Sequence, residues 1–173
     1  MTDIRALIRD IPDFPKPGIV FKDITPLLAN GPAFHATIDR FVERYRGRVD
    51  AVLGIESRGF IIGAAVAYGL GTGVAIVRKP GKLPYKTHAA SYALEYGTDT
   101  LEIHRDALGR AHRVLLIDDL LATGGTAATA CELVERCGGQ VVACAFVIEL
   151  AFLPGRQRLA GREITSLIRY DAG

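Results

Sequence analysis

Val114-Leu115-Leu116-Ile117-Asp118-Asp119-Leu120-Leu121-Ala122-Thr123-Gly124-Gly125-Thr126 is the stretch on which the reading of this chain turns. The unbroken apolar run Val114 to Ile117 predicts a strand covered on both faces. It ends on two adjacent carboxylates. A loop of small residues follows, and a helix is expected from about Ala127 to Cys137. Ligands of open α/β sheets bind beyond the carboxyl ends of the strands. A helix N-terminus there offers unpaired N–H groups and a partial positive charge. Gly124 and Gly125 allow close backbone approach, and the hydroxyls of Thr123 and Thr126 add donors. Together these form a cradle for one phosphate group.

Two carboxylates beside such a cradle would repel a bare phosphate. They suit a ligand that carries hydroxyls next to its phosphate, because ionised carboxylates accept strong hydrogen bonds from vicinal hydroxyls. A ribose 5-phosphate has both features. The competing reading, that Asp118 and Asp119 cap the next helix, places them awkwardly far from its start. Other phosphate motifs do not fit. A Walker loop needs Gly-Lys-Ser/Thr, and Thr126 follows Gly125 directly. The run Gly69-Leu70-Gly71-Thr72-Gly73 lies between a helix and a strand in the wrong order for a dinucleotide fingerprint. It reads as a helix stop and turn.

Outward from this segment, strands and helices alternate. Strands are predicted at Ala51 to Ile55, Val74 to Val77 and Val141 to Ile148, and a helix at Phe60 to Tyr68. A second helix starts near Pro32, with a buried stripe of Phe34, Ile38, Phe41, Val42 and Tyr45. Ile4, Leu7, Ile8 and Ile11 follow helical spacing and predict an opening amphipathic helix. Strand-helix-strand in series implies a parallel sheet with right-handed crossovers. Residues 79–100 break the rhythm: they are polar, with Pro80, Gly81, Pro84 and tyrosines at 85, 92 and 96. Such a segment is read as a lid or mobile loop, or as a β-hairpin at the sheet edge, and a hairpin can carry a lid.

At 173 residues, 49% hydrophobic and 23% charged, the chain fits one folded domain over residues 1–173. A formal net charge of +2 gives no electrostatic case for a nucleic-acid partner. Three cysteines without a Cys-x-x-Cys motif argue against a disulfide framework or zinc site and for buried thiols in a reducing cytosol. Charges interrupt the N-terminus, so it is not read as a signal peptide. The uncharged stretch Phe60 to Val77 is divided by glycines and is read as helix, turn and strand, not as a membrane span.

The segment from Val114 to Thr126 resembles the phosphoribosyl pyrophosphate signature of the type I phosphoribosyltransferase family. Further pieces resemble the members of that family that use adenine: Phe14 to Pro26, Gly54 to Phe60, Arg78 to Pro84 and Ser91 to Gly97. The resemblance covers nearly the whole chain. It implies an α/β fold, a parallel twisted sheet flanked by helices, with a small N-terminal hood over about residues 1–30 and a flexible lid loop over about 79–100. It also implies purine salvage: adenine and phosphoribosyl pyrophosphate become AMP and pyrophosphate.

Site roles follow from the same resemblance. Asp118 and Asp119 would hold the ribose hydroxyls, and Ala122, Thr123, Gly124, Gly125 and Thr126 would wrap the 5′-phosphate. Glu56, Ser57, Arg58 and Gly59 match the family's pyrophosphate loop, with a cis peptide expected between Glu56 and Ser57. Arg78 and Lys79 are suited to pyrophosphate, the arginine reaching across the interface of a homodimer. Phe21 would stack on adenine with Leu150 on the other face, while the backbones of Val20 and Lys22 read the base edge. From residue type alone, Phe21 would be an ordinary core aromatic. Glu95 and Tyr96 match residues that close over the reacting centre. Magnesium (Mg2+) is implied, carried mainly by substrate without a protein metal site. A cytoplasmic enzyme with no nucleic-acid or membrane partner is expected. Rival readings are a transferase for xanthine or orotate, or a ligand-sensing nucleic-acid-binding regulator on the same fold.

Overall fold

A computed structural model describes residues 3–94 and 97–172. Its centre is a parallel sheet of five strands in the order β4-β3-β7-β8-β9. These are β3 (Ala51–Ile55), β4 (Gly73–Val77), β7 (Arg113–Leu121), β8 (Gln140–Leu150) and β9 (Glu163–Tyr170). The apolar runs are buried on both faces, as read. Leu115 and Ile117 pack under the helices α2 (Gly31–Tyr45) and α3 (Arg58–Leu70). Val114 and Leu116 pack on the opposite side, against α4 (Gly125–Arg136). Burying such side chains contributes about 1.5–3 kcal/mol each. The edge strand β4 departs from the expectation: Val74 is 44% exposed.

Local chemistry explains the boundaries. Asn30 caps α2 by accepting from Ala33 N–H at 3.0 Å, and Pro32 sits in the first turn. Gly71 ends α3 in the left-handed region, at φ 69°. The helices α3 and α4 each begin two residues earlier than the apolar pattern suggested, at Arg58 and Gly125. Likewise β7 runs on to Leu121, so the acid pair lies inside the strand.

Two antiparallel hairpins flank the sheet. The first pairs β1 (Arg9–Pro12) with β2 (Val20–Asp23). It corrects the opening helix: only Arg5–Leu7 forms a 3-10 turn, and the residues from Arg9 instead satisfy their backbone groups against β2. Ile4 is still buried, so the apolar residues were rightly seen as core-seeking. The second hairpin, β5 (Thr87–Ala93) with β6 (Thr98–His104), occupies much of the polar segment. Its base joins the end of β4 by reciprocal backbone hydrogen bonds between Arg78 and Glu102, at 3.0 and 2.8 Å. Leu101 and Ile103 anchor it in the core beside α4. The short helices α1 (Thr25–Ala29) and α5 (Gly155–Arg158), and the strand β9, were not anticipated. Cys131 and Cys144 are buried free thiols, as expected, with sulfurs 3.7 Å apart. Among the described residues no helix is long and apolar enough to cross a membrane.

Candidate active site

Because the sheet is parallel, the carboxyl ends of β3, β4 and β7 emerge on one edge. A cleft of about 260 Å³ opens there. Glu56, Ser57 and Arg58 enter it from the end of β3, and Lys79 from the end of β4. Asp118, Asp119, Ala122, Thr123, Gly124 and Thr126 come from β7 and the turn after it. Segments remote in sequence thus meet around one volume.

Of the turn read as a cradle, Ala122, Thr123, Gly124 and Thr126 line the cleft, while Gly125 does not. Gly124 stands before α4 at φ 80°, a conformation that favours glycine, with no side-chain cap. Capping by Asp118 or Asp119 is therefore not their role here. The first-turn N–H groups of α4 have no intrahelical acceptor and face the cleft end of the helix. Thr126 contributes its hydroxyl at the same end.

The acid pair is held tightly. Asp119 is 5% exposed and forms an ion pair with Arg58. Asp118 accepts from the Asp119 N–H at 2.9 Å. Burial, and then the neighbouring Asp119 charge, push the Asp118 carboxyl well above the usual carboxylate range. Gly59 explains how α3 fits over this carboxylate. A Cβ there would lie 2.8 Å from Asp118 Oδ1 and 3.1 Å from the Ile117 carbonyl oxygen.

On the opposite wall, the Glu56–Ser57 peptide is cis, as the motif implied. Glu56 gathers three cationic or N–H donors: Arg78 at 3.1 Å, Lys82 at 2.9 Å and the Lys79 N–H at 3.0 Å. Burial would raise the Glu56 carboxyl, but these bonds outweigh it and hold it at about 2. Arg78 is therefore a partner of Glu56 and stacks near Phe60, 5.9 Å from its ring centre, and does not line the cleft.

Lys79 does line the cleft and pairs with Asp99 of the β5–β6 hairpin. Asp99 also accepts from Tyr92 Oη at 3.0 Å, and Tyr92 Oη lies 3.0 Å from Thr126 Oγ1. Tyr92 and Asp99 were missed as site residues. Only the alternation of β5 and β6 hinted at them, by placing both on the face turned to α4. Glu95 and Tyr96, read as closing residues, lie outside the described residues.

The hood residues lie above the cleft and not in its lining. The Phe21 ring meets the Arg58 guanidinium at 5.2 Å and the Phe14 ring edge-on at 5.2 Å. Arg58 thus bridges Phe21 and Asp119. Lys22 points away to Asp10 at 2.7 Å, Val20 is exposed, and Leu150 packs at the end of β8. Among the described residues, no group of three or more His, Cys, Asp or Glu is arranged to hold a metal ion.

A parallel sheet whose central strand carries an acid pair into a glycine-rich turn and a helix N-terminus, facing Arg58 and Lys79, defines a class. The chain belongs to the phosphoribosyl transferase domain family, whose model matches residues 27–162. The adenine phosphoribosyltransferase of Syntrophotalea carbinolica is 59% identical over 171 residues, covering 98% of this chain and 100% of the relative. The solved adenine phosphoribosyltransferase of Thermoanaerobacter pseudethanolicus superposes with a TM-score of 0.94 at 51% identity, over 97% of this chain and 98% of that one. The Saccharomyces cerevisiae enzyme, complexed with an imino-altritol bisphosphate and adenine, gives a TM-score of 0.89 at 38% identity, over 95% and 96% of the two chains.

Proposed function

We propose that this protein transfers the 5-phosphoribosyl group of phosphoribosyl pyrophosphate to adenine, giving AMP and pyrophosphate in purine salvage. The observation that carries the reading is the Asp118–Asp119 pair leading into the Ala122–Thr126 cradle. The full-length likeness to adenine phosphoribosyltransferases supports adenine over xanthine or orotate.

In this reading the N-terminus of α4 and the hydroxyls of Thr123 and Thr126 take the 5′-phosphate. Asp118 and Asp119 accept from the ribose hydroxyls and offset the positive charge that develops on the sugar. Arg58, Lys79 and the Ser57 backbone hold the departing pyrophosphate, with Glu56 and Gly59 shaping that wall. Phe21 and Leu150 sandwich adenine, and the backbones of Val20 and Lys22 read its edge. A base nitrogen attacks the anomeric carbon as pyrophosphate leaves. Catalysis rests on positioning and electrostatics. Glu95 handles a proton or stabilises charge, and Tyr96 closes with it.

The hood (about 1–30) and lid (about 79–100) act as parts of one unit spanning residues 1–173. Closure of the lid excludes water from the sugar cation. Hard oxygen donors at the cleft suit magnesium, with Asp118 and Asp119 as the carboxylates that would hold it, and a cation that keeps several waters would take most of its remaining coordination from substrate. When bound, magnesium neutralises phosphate charge. The enzyme works as a cytoplasmic homodimer in which Arg78 serves the neighbouring subunit.

Labelled adenine with phosphoribosyl pyrophosphate and magnesium tests the reading, with AMP as product. Preference for guanine, xanthine or orotate overturns the assignment of the base. Strong salt-sensitive nucleic-acid binding without AMP synthesis would favour the regulator reading instead.

A further inference from the structure

Behind the phosphate cradle lies a polar cluster that the proposed reaction does not use. Glu149, near the end of β8, is 2% exposed. It accepts from Arg156 through both oxygens, Nε at 2.9 Å and Nη2 at 2.6 Å, and from Ser166 Oγ at 2.7 Å. Arg169 approaches it at 3.8 Å. Arg156 is one residue from Gly155, and Gly155 presses against the cradle. A Cβ on Gly155 would lie 2.3 Å from the Ala122 carbonyl oxygen and 2.9 Å from Leu121. From the other side, a Cβ on Gly124 would lie 2.8 Å from the Gly155 carbonyl oxygen. Two backbones that close leave the cradle little freedom to move away from its ligand.

A bidentate arginine–carboxylate pair fixes orientation as well as distance. Its carboxylate here is buried and bonded by a third group, so Arg156 has one rigid acceptor. The tightest approach of α5 to the turn after β7 is made by Gly155, the residue next to Arg156, with Arg158 of the same helix also touching Gly124. The pair therefore has a direct mechanical route to Ala122 and Gly124.

We propose that Glu149, Arg156 and Gly155 form a brace that positions the 5′-phosphate cradle from behind. They are positioning residues, since none of them lines the cleft. The inference rests on the cradle binding the 5′-phosphate, as proposed above.

The test separates phosphate from nucleoside. Binding of AMP and of adenosine is measured by calorimetry for the wild type, Gly155→Ala, Arg156→Lys and Glu149→Gln. Overpacking at Gly155 should cut the AMP-over-adenosine preference by about tenfold or more, while adenosine affinity stays within about twofold. Arg156→Lys keeps the charge but loses the bidentate geometry, and should fall between wild type and Glu149→Gln. It also serves if Gly155→Ala does not fold. Unchanged preference in all folded variants overturns the brace. So does a parallel loss of AMP and adenosine binding, which marks general loosening of the fold. A wild type with no preference for AMP sinks the cradle reading and the brace together; a wild type that prefers AMP while its variants do too sinks the brace alone.

Discussion

Asp119 and Asp118 are neighbours with different environments, and each yields a distinct expectation. Asp119 is bound by Arg58 at the cleft, so Asp119→Asn keeps the shape and removes one charge. Loss of one preorganised electrostatic contact should lower kcat/KM by about 10²–10³. Steady-state kinetics with a melting curve check this; the melting temperature should move little. Asp118 is raised above its ordinary 3.8 by burial and then by Asp119. A raised acid binds its proton more tightly in the fold, so the ionised form, the one proposed to accept from the diol, is lost at a pH above 3.8 as acidity grows. The acid limb of phosphoribosyl pyrophosphate binding should therefore lie above that value, measured by titrating affinity against pH. Gly59→Ala would press directly on this carboxylate. None of this is visible in the dipeptide Asp-Asp, because charge, burial and the Arg58 contact come from other elements.

At the scale of elements, the β5–β6 hairpin and α4 are joined at Tyr92. Its hydroxyl lies between Thr126 and Asp99, and Asp99 holds Lys79. One side chain thereby links the proposed phosphate cradle to a proposed pyrophosphate cation. Tyr92→Phe keeps the ring and removes the link. A lost hydrogen bond contributes about 0.5–1.5 kcal/mol, which corresponds to a roughly twofold to tenfold rise in KM for phosphoribosyl pyrophosphate. Adenine KM should not change. Gly125→Val belongs to the same junction. A Cβ there would meet the Tyr92 ring and Arg158 Nη1, each at 3.0 Å, so valine should displace the hairpin and α5 as well as crowd the cradle. Binding of phosphoribosyl pyrophosphate should drop sharply, as read by calorimetry.

Across the whole molecule, the N-terminal hairpin region meets the last strand. Tyr170 of β9 is flanked by Arg5 at 4.7 Å and Lys22 at 4.3 Å, and Arg5 Nη2 donates to the Arg169 carbonyl at 2.6 Å. The hood is thus tied to the last strand. Each exposed cation–π contact contributes about 0.5–1 kcal/mol, so Tyr170→Ala should raise adenine KM severalfold and spare phosphoribosyl pyrophosphate. The pH response of the fold has a traceable source in Glu56. Its carboxyl is lowered from 4.5 to about 2, so its contribution is present above 4.5 and is lost as pH falls toward 2. Melting temperature should decline through that window, and Glu56→Gln should flatten the decline.

The sequence by itself determined the fold class and put the acid pair and the small-residue turn next to each other. Short continuous apolar runs between turn residues suit strands covered on both faces, and the small-residue turn after an acid pair is a local arrangement written in consecutive residues. Ile19 to Asp23 reads as extended and does form β2, whereas β1 and β9 escaped because their patterns are polar-interrupted and half-exposed, so neighbours decided their conformation. Only the tertiary structure decided that Arg58 meets Asp119, that Tyr92 meets Thr126, that Arg78 pairs with Glu56, and that Gly155 backs the cradle. Each of these joins residues from separate elements. The energy that selects them is close packing and charge pairing across the sheet edge, which no local window of sequence contains.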